Sequence, residues 1–487
     1  MTGPTPRLTR RELVAGATAT GLLAAVPPAW ARSLLSQRPR VGPGAFLDGV
    51  ASGEPSTRAV TFWSRLETER LRSGARLVVA RDRGLRRVVA TTVVPTGRGV
   101  NGTLKARVGG LKPGTDYFYA WESGTDVSPI GRSRTTPAAD SAEALSIAYS
   151  SCQHYALGHF AAHADAATVP DLDLYLFLGD YVYESQKAEL RADGISAVDL
   201  ASYRSKYALY RSDPGLRELH RVHPVAHIWD DHEVENNYSD GQPPPSRAQR
   251  SAAYRAAFEW MPRMAFPSDR HRIYKRLSFG RVADVFLLDE RQYRVQTDDG
   301  QRAMLGDAQM RWLLQGLRAS RARWKLIAQQ VVVAQDPYGN GRSAPDRWDG
   351  YPQDRARLLG ELERAGITDV AFLTGDAHVF MASVLASNFE ALGDGTARRP
   401  AAVEFVGGSV TSRGRELQEE RVRAQAPWVR QYDGYRHGYA HLALRPDQLE
   451  VEYRASDLRA PDGATLAFER FVQPAGQNDF ARQRLTV

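Results

Sequence analysis

Short apolar runs that end abruptly in metal-ligand residue types recur along this chain and constrain its fold more than any other feature. The clearest run, Leu174–Leu178, is too short and too continuously apolar for an amphipathic helix, so it predicts a buried strand. Gly179 follows, then the oxygen-bearing side chains of Asp180 and Tyr183. Ligands gather at the carboxyl ends of strands in open α/β sheets, and a glycine there lets the backbone turn sharply. This stretch therefore predicts a strand that ends in a ligand site.

The same pattern occurs at three further places, and each predicted strand ends in residues that can bind a metal. The runs are Leu145–Cys152, which ends in the only cysteine of the chain; His223–Glu233, which ends in Asp230, Asp231, His232 and Glu233; and Ala371–His378, which ends in Asp376 and His378. Carboxylates select hard cations, whereas thiolate, imidazole and phenolate suit a transition metal such as iron. The mixed set predicts two different metals that share a bridging carboxylate.

The candidate metal ligands are therefore Cys152, Asp180, Tyr183, Asp231, Asp376 and His378. Two metals about 3.5–4 Å apart form a clamp for in-line displacement at phosphorus, in which one lowers the pKa of bound water and both neutralise phosphoryl oxygens. Cys152 has an alternative interpretation as a small buried hydrophobic residue, which is the common state of a free cysteine. Its position at the end of a predicted strand favours a ligand.

Four motifs in a fixed order carry a specific resemblance: Cys152, Gly179-Asp-x-x-Tyr183, Trp229-Asp-Asp-His-Glu233 and Gly375-Asp-x-His378. This ordered set resembles the PhoD family of alkaline phosphatases, which are distant relatives of the purple acid phosphatases among the calcineurin-like metallophosphoesterases. The resemblance extends from about Phe46 to the end of the chain. It includes the segments Gly49–Glu54, Asp289–Tyr293, Trp348–Pro352 and Gly408–Ser412.

The resemblance implies an Fe3+ and Ca2+ site that hydrolyses phosphate mono- and diesters by attack of a metal-bound hydroxide. Cys152, Asp180, Tyr183 and His378 would hold the iron, and Asp180 would bridge to a calcium completed by Asp231 and Asp376. His232 would lie near the leaving-group oxygen as a phosphate donor or general acid. Arg291 is a candidate phosphate clamp, because its guanidinium matches the spacing of phosphate oxygens.

Two other functions are alternatives at this point. The first is a phospholipase D-type phosphodiesterase on the same scaffold, which differs in substrate. The second is a non-catalytic binding protein with a degenerate enzyme domain, against which the intact ligand set argues.

Among the neighbouring residues, Asp230 is predicted to orient the ligands beside it, and the role of Glu233 stays open. His154 and His159 are predicted to belong to the following helix and its surface.

The first 31 residues predict a twin-arginine export signal. Arg10 and Arg11 precede the charge-free stretch Leu13–Ala29 and the small-x-small sequence Ala29-Trp-Ala31. The stretch is rich in Ala, Gly and Thr and short for a bilayer span, so the mature form is predicted to have no transmembrane segment. We expect export through the twin-arginine machinery to an extracellular, periplasmic or cell-wall location. Residues 32–43 are predicted to be a linker.

Two domains are predicted after the linker. Residues 44–137 contain short strand-like runs separated by turn residues, which predict a β-sandwich of the fibronectin type III or immunoglobulin kind. Residues 138–487 alternate apolar strands with helix-prone segments and predict a two-sheet α/β sandwich. Its predicted helices are 199–211, 251–259, 308–320 and 353–365. The late runs 401–406, 439–444 and 449–453 predict a second sheet.

Charge and composition restrict the classes of partner. Hydrophobic residues make up 43% and charged residues 25% of the chain, which are ordinary values for a soluble globular protein. The net charge of +8 comes without a run of basic residues interleaved with aromatics, so no specific nucleic-acid partner is predicted. A solvated basic surface is the favoured interpretation, and such a surface attracts anionic substrates such as phosphate esters.

Overall fold

The computed structural model describes residues 46–67, 74–239, 245–296, 302–336, 346–396 and 399–485. The predicted export signal and linker lie outside these ranges. Within them, no helix combines the length and the apolar character that crossing a membrane requires.

The strands are numbered in chain order. They are β1 Val50–Gly53, β2 Val60–Arg65, β3 Ala75–Ala80, β4 Val88–Val94, β5 Thr103–Val108, β6 Asp116–Ser123, β7 Asp126–Val127, β8 Gly131–Arg134, β9 Leu145–Ser150, β10 Leu174–Leu178, β11 Lys187–Ala188, β12 Ala192–Asp193, β13 Pro224–Ile228, β14 Lys275–Phe279, β15 Ala283–Leu287, β16 Val295–Gln296, β17 Arg302–Ala303, β18 Trp324–Gln329, β19 Val370–Thr374, β20 Phe380–Leu385, β21 Ala402–Gly407, β22 Val429–Asp433, β23 Gly438–Leu444, β24 Gln448–Ser456, β25 Thr465–Pro474 and β26 Ala481–Arg484.

The helices of the described residues are also numbered in chain order. They are α1 Ala161–Thr168, α2 Leu200–Arg211, α3 Pro214–Val222, α4 Arg247–Trp260, α5 Gly306–Ala319, α6 Pro352–Ala365, α7 Phe389–Gly393 and α8 Glu419–Gln425, with short 3-10 turns at Arg98–Val100, Tyr155–Leu157 and Trp348–Gly350. All four predicted helices are present, as α2, α4, α5 and α6. Helix α2 begins where predicted because Asp199 accepts a hydrogen bond from the backbone N–H of Ser202 at 2.8 Å.

Two large sheets form the body of the fold. The first has ten strands in the order β26-β25-β24-β23-β9-β10-β13-β1-β2-β5, and the second has seven in the order β14-β15-β18-β19-β21-β20-β22. Each contains a parallel centre, β9-β10-β13-β1 in the first and β15-β18-β19-β21 in the second. Strands β10, β13, β15, β19 and β21 are buried along their whole length, as expected for parallel strands covered on both faces.

The two sheets pack face to face, with helices outside them. The hydroxyl of Tyr149 in β9 donates to the carbonyl of Phe405 in β21 at 2.7 Å, so the two parallel centres are in contact. On the outer side of the ten-stranded sheet, the Trp63 indole in β2 donates to the carbonyl of Glu259 in α4 at 2.8 Å. Gly316 of α5 packs so closely on Phe286 of β15 that a Cβ there would lie 2.6 Å from the ring. These contacts confirm the predicted two-sheet α/β sandwich.

The N-terminal region is built of strands, as predicted. Strands β4-β3-β6-β7, with β8 beside β6, make a five-stranded sheet, and an apolar core of its own includes Phe62, Leu77, Tyr119 and Trp121. Strands β1, β2 and β5 instead extend the ten-stranded sheet, because β1 pairs in parallel with β13. The all-β region therefore shares a sheet with the remainder of the chain, and the boundary at residues 137 and 138 stays a prediction.

The grouping of the late strands was wrong. The run 401–406 forms β21 in the seven-stranded sheet, but the runs 439–444 and 449–453 form β23 and β24 of the ten-stranded sheet. Strand β23 pairs antiparallel with β9, so residues 291 to 299 positions apart in sequence lie side by side. A local hydrophobic pattern predicts that a strand exists and which face is buried, but it does not encode a partner at that separation.

Candidate metal centre

The predicted ligands follow strands whose carboxyl ends meet at one edge of the sandwich. Cys152, Asp180 and Asp231 come after β9, β10 and β13, which are adjacent parallel strands of one sheet. Asp376 and His378 come after β19 of the facing sheet. The edges of the two sheets approach closely because residue 375 is glycine: a Cβ there would lie 2.8 Å from the Ser151 Cβ and 2.9 Å from the Leu178 carbonyl.

Three groups of side chains place potential metal donors close together. Within each group, the donor atoms lie within 4.8 Å of one another; the groups are Cys152, Asp180 and His378; Asp180, Asp231 and His232; and Asp230, Asp231 and Asp376. The first group combines sulfur, oxygen and nitrogen donors, whereas the third consists only of carboxylates. Asp180 belongs to the first two groups and Asp231 to the last two. The structure thus brings together Cys152, Asp180, Asp231, Asp376 and His378 in a continuous set of donors.

The backbone at four of these residues is strained. Cys152, Asp180, Asp376 and His378 have φ values of 59°, 53°, 56° and 57°, in the left-handed region. Residues other than glycine seldom adopt this conformation, and it costs on the order of 1–3 kcal/mol at each position unless the surroundings enforce it. Strain of this kind concentrates where side chains are aimed at a functional site.

Tyr183 adjoins the first group of donors. Its hydroxyl donates to Asp180 Oδ2 at 2.9 Å and lies 2.7 Å from the hydroxyl of Ser412. The ring packs between His154 and His232, with centroid distances of 4.4 and 4.1 Å. Burial, followed by the nearby Asp180 carboxylate, raises the pKa of the Tyr183 phenol well above its usual value. A phenolate at this position needs a cation to stabilise it.

His378 and Cys152 are held in orientations that suit metal binding. The Nδ1 atom of His378 lies 3.0 Å from the Arg413 carbonyl, which fixes the proton on Nδ1 and leaves the Nε2 lone pair available. Burial lowers the pKa of His378 to about 4, so the imidazole is neutral at neutral pH. Burial and the Asp180 carboxylate raise the pKa of the Cys152 thiol well above its usual value. A bound cation favours the thiolate, which is the form that ligates metals.

Glu233 holds in place the backbone turns that carry two candidate ligands, Asp180 and Asp231. Its carboxylate accepts hydrogen bonds from the backbone N–H groups of Asp180 at 3.0 Å, Tyr181 at 2.8 Å and Asp230 at 2.8 Å. His227 Nε2 lies 3.2 Å from the same carboxylate. The sequence alone left the role of Glu233 open. In the structure, Glu233 joins the turn after β10 to the turn after β13.

We expect Glu233→Gln to lower the free energy of unfolding by about 3 kcal/mol, because the amide NH2 replaces an acceptor and faces buried N–H donors that lose their partner. Urea denaturation would measure this change. The matched control is Glu235→Gln, because residue 235 is only partly buried. For the control we expect a change below about 0.5 kcal/mol, as for most surface substitutions. Equal stabilities for the two variants would contradict the assigned role.

His232 is positioned by a second carboxylate. Its Nδ1 lies 2.7 Å from Glu184 Oε2, and the other oxygen of Glu184 accepts a hydrogen bond from the backbone N–H of Asn236 at 3.2 Å. Burial acts to lower the pKa of His232, but the carboxylates of Asp180, Asp231 and Glu184 outweigh it and hold that pKa well above its usual value. Glu184 contacts Nδ1 of the ring and leaves Nε2 unused.

Arg291 lies among carboxylates and is fully buried. Its Nε donates to Asp230 and one terminal nitrogen donates to Asp346. The other terminal nitrogen is 3.4 Å from Asp376 Oδ1 and 3.6 Å from Asp231 Oδ1. Burial acts to raise the pKa of Asp231, but Arg291 and His232 outweigh it and hold that pKa well below its usual value. The structure shows Arg291 balancing carboxylate charge, and its predicted contact with phosphate stays a prediction.

Several residues of the site were missed or misplaced by the sequence analysis. His154 was predicted on a helix surface, but it is buried against Tyr183 because the chain forms a 3-10 turn there. Ser412 belongs to the segment Gly408–Ser412 and Glu184 directly follows Tyr183. Their partners nevertheless come from other segments. Asp346 follows no ligand pattern, so only the structure brings it to Arg291.

Comparison with known proteins agrees with this arrangement. A family model described as PhoD-like phosphatase matches residues 147–453, and a model of the PhoD-like phosphatase N-terminal domain matches residues 30–137. The chain belongs to the PhoD-like phosphatase family. The predicted resemblance is thereby confirmed. This PhoD-like phosphatase is also 31% identical to alkaline phosphatase D of Bacillus subtilis strain 168 over 468 residues, which cover 87% of the present chain and 79% of the relative.

Solved structures show the same relationship. The structure of PhoD superposes with a TM-score of 0.84 and 29% identity, and covers 92% of this chain and 94% of that one. Purple acid phosphatase PPD1 from yellow lupin seeds superposes with a TM-score of 0.60 over 88% of this chain and 75% of its own. Its identity of 12% shows a shared fold alone. This PhoD-like phosphatase thus shares its fold with a purple acid phosphatase.

Proposed function

We propose that this PhoD-like phosphatase is an exported hydrolase of phosphate mono- and diesters that uses Fe3+ and Ca2+. The observation that carries the proposal is that Asp180 belongs both to the donor group with Cys152 and His378 and to the donor group with Asp231 and His232. Thiolate, phenolate and imidazole suit iron, and carboxylates suit calcium. Export is proposed from the sequence of residues 1–31 and the twin-arginine machinery that recognises such signals.

The donor set fits the two ions in a definite assignment. Cys152, Asp180, Tyr183 and His378 would hold iron. Asp180 would also hold calcium, together with Asp231 and Asp376. When bound, the two ions would neutralise the phosphoryl oxygens and activate a water molecule. Retention of an intact donor set argues against the alternative of a non-catalytic binding protein.

The remaining steps fall to side chains of the protein. His232, held through Nδ1 by Glu184, is proposed to donate its Nε2 proton to the leaving-group oxygen as the bond from phosphorus to that oxygen breaks. Arg291 offsets the charge of Asp231 and Asp376 in a buried site. The predicted phosphate contact of Arg291 is also part of this proposal.

Metal analysis tests the assignment directly. We expect about one iron and one calcium per chain, and a visible charge-transfer band from the Tyr183 phenolate. Tyr183→Phe removes that oxygen, so the band should disappear while the calcium content stays near one. The matched control is Tyr155→Phe, because the Tyr155 ring packs near the site on Phe160 and Tyr210 without contacting the donor groups. Zinc as the bound metal, or a band that survives in Tyr183→Phe, would contradict the proposal.

A further inference from the structure

One buried arginine of this protein has no carboxylate partner. Arg211 is the last residue of α2, and its side chain is fully buried. The carboxylates of the described residues form no ion pair with it, whereas the equally buried Lys206 of the same helix pairs with Asp193 at 2.6 Å. A buried charge without a counter-charge is costly, because it loses the hydration that stabilises an ion in water.

The guanidinium of Arg211 also lacks hydrogen-bond partners. Its Nη2 donates to the Trp260 carbonyl at 3.4 Å, but Nε and Nη1 have no acceptor among the residues that the structure describes. Burial lowers the pKa of Arg211, and the nearby Tyr181 hydroxyl acts in the opposite direction. Buried polar groups almost always have a partner. The two free donors of this cation therefore require an acceptor.

Aromatic rings surround the guanidinium. Its Cζ lies 4.7 Å from the centroid of the Trp63 ring in β2, and Trp63 packs on Trp260 of α4 at a centroid distance of 5.8 Å. Tyr207 of α2 stacks on the same Trp260 ring at 6.1 Å. Ring faces attract a cation, but they supply no acceptor for the N–H groups in the plane of the guanidinium.

Further buried donors without partners belong to neighbours of Arg211. They are the indole N–H of Trp260 and the hydroxyl of Tyr119, neither of which has a hydrogen-bond partner among the described residues. Burial raises the pKa of Tyr119, against which the Ser52 hydroxyl and the Arg211 charge act, so these groups share one region. Donors thus outnumber acceptors around an unpaired cation.

We infer that Arg211 is the centre of a buried site for a small monovalent anion of the halide class, such as chloride. A halide accepts several hydrogen bonds, needs no acceptor itself and neutralises the guanidinium. A water molecule accepts the same bonds, but it leaves the charge unpaired and brings two O–H groups that need acceptors of their own. The complete burial of Arg211 favours a halide over a larger oxyanion.

The anion would lie where strand β2 meets helices α2 and α4, as the contacts of Arg211 with Trp63 and Trp260 indicate. Arg211 belongs to none of the three groups of candidate metal donors. We therefore expect the anion to stabilise the fold rather than to take part in the reaction, and the inference does not depend on the proposed function.

Thermal unfolding in sodium chloride and in sodium gluconate at equal ionic strength tests the inference. An ion that binds only the folded protein raises its stability with the logarithm of the ion concentration, and equal ionic strength removes the effect of general screening. We expect the Tm of the unaltered protein to be about 2 °C or more higher in chloride than in gluconate. Bromide should act as chloride does.

Arg211→Met removes the cation, so the difference in Tm between the two salts should disappear in this variant. The matched control is Arg204→Met, two turns earlier in the same helix, because Arg204 is already paired with Glu259 through Nε and Nη2 at 2.7 Å each. This control should keep the full chloride effect. An equal chloride effect in Arg211→Met, or its loss in Arg204→Met, would overturn the inference.

A second measurement does not require the variant to fold. Crystals of the unaltered protein grown in bromide should give an anomalous scattering peak beside Nε and Nη1 of Arg211. Equal Tm values for the unaltered protein in chloride and gluconate, or no anomalous peak at that position, would overturn the anion site. Either result would leave the proposed hydrolase function unchanged.

Discussion

Replacing Asp180 with asparagine is expected to lower kcat for phosphate esters by about 10³-fold and to reduce both iron and calcium content. Asp180 belongs to two of the donor groups and is a proposed ligand of both metals, so one substitution weakens both proposed metal positions. Loss of metal-based charge stabilisation is worth several kcal/mol at the transition state, and each 1.36 kcal/mol is tenfold in rate. Metal analysis and steady-state kinetics on the same preparation would measure both effects.

The backbone makes this substitution informative. Asp180 has a φ of 53°, and asparagine tolerates the left-handed region as aspartate does. The variant is therefore expected to fold. Asp171→Asn is the matched control: its φ is 54°, and it precedes β10 at the opposite end, where its side chain is exposed. Activity and metal content should be unchanged there. Full metal content in Asp180→Asn would contradict the bridging role.

Replacing His232 with asparagine is expected to lower kcat for esters of simple alkyl alcohols by about 10²–10⁴-fold, the usual contribution of general acid catalysis. An alkoxide leaves poorly without a proton, whereas p-nitrophenolate is stable as an anion. The same variant should therefore lose far less activity on p-nitrophenyl esters. Kinetics across a series of leaving groups would show a steeper dependence on leaving-group acidity than in the unaltered protein.

An exposed histidine provides the control for this experiment. His271 is on the surface and belongs to none of the three donor groups described above, so His271→Asn should leave the dependence on leaving group unchanged. Glu184→Gln should give a smaller change in the same direction as His232→Asn, because Glu184 orients the ring. A uniform loss across all leaving groups in His232→Asn would assign the residue to binding rather than to proton donation.

The sequence determined the parts of this protein whose pattern is local. The runs before Cys152, Asp180 and Asp376 are strands, because a short and mostly apolar run satisfies both faces of a buried parallel strand. Parallel neighbours end at one edge, so residues placed directly after such strands were predicted to converge, and they do. The short strand-like runs before residue 137 are also a local pattern, and they predicted an all-β region in the same way.

Contacts between distant segments were decided only by the tertiary structure. Glu233 joins the turns after β10 and β13, and Asp346 meets Arg291 across 55 residues. Strand β23 lies beside β9 although its pattern resembles that of any other strand. A hydrophobic period records which face of an element is buried, but the identity of a buried partner depends on how the sheets pack. Local sequence does not contain that information, because the same carboxylate can bind a metal, an arginine or a backbone N–H.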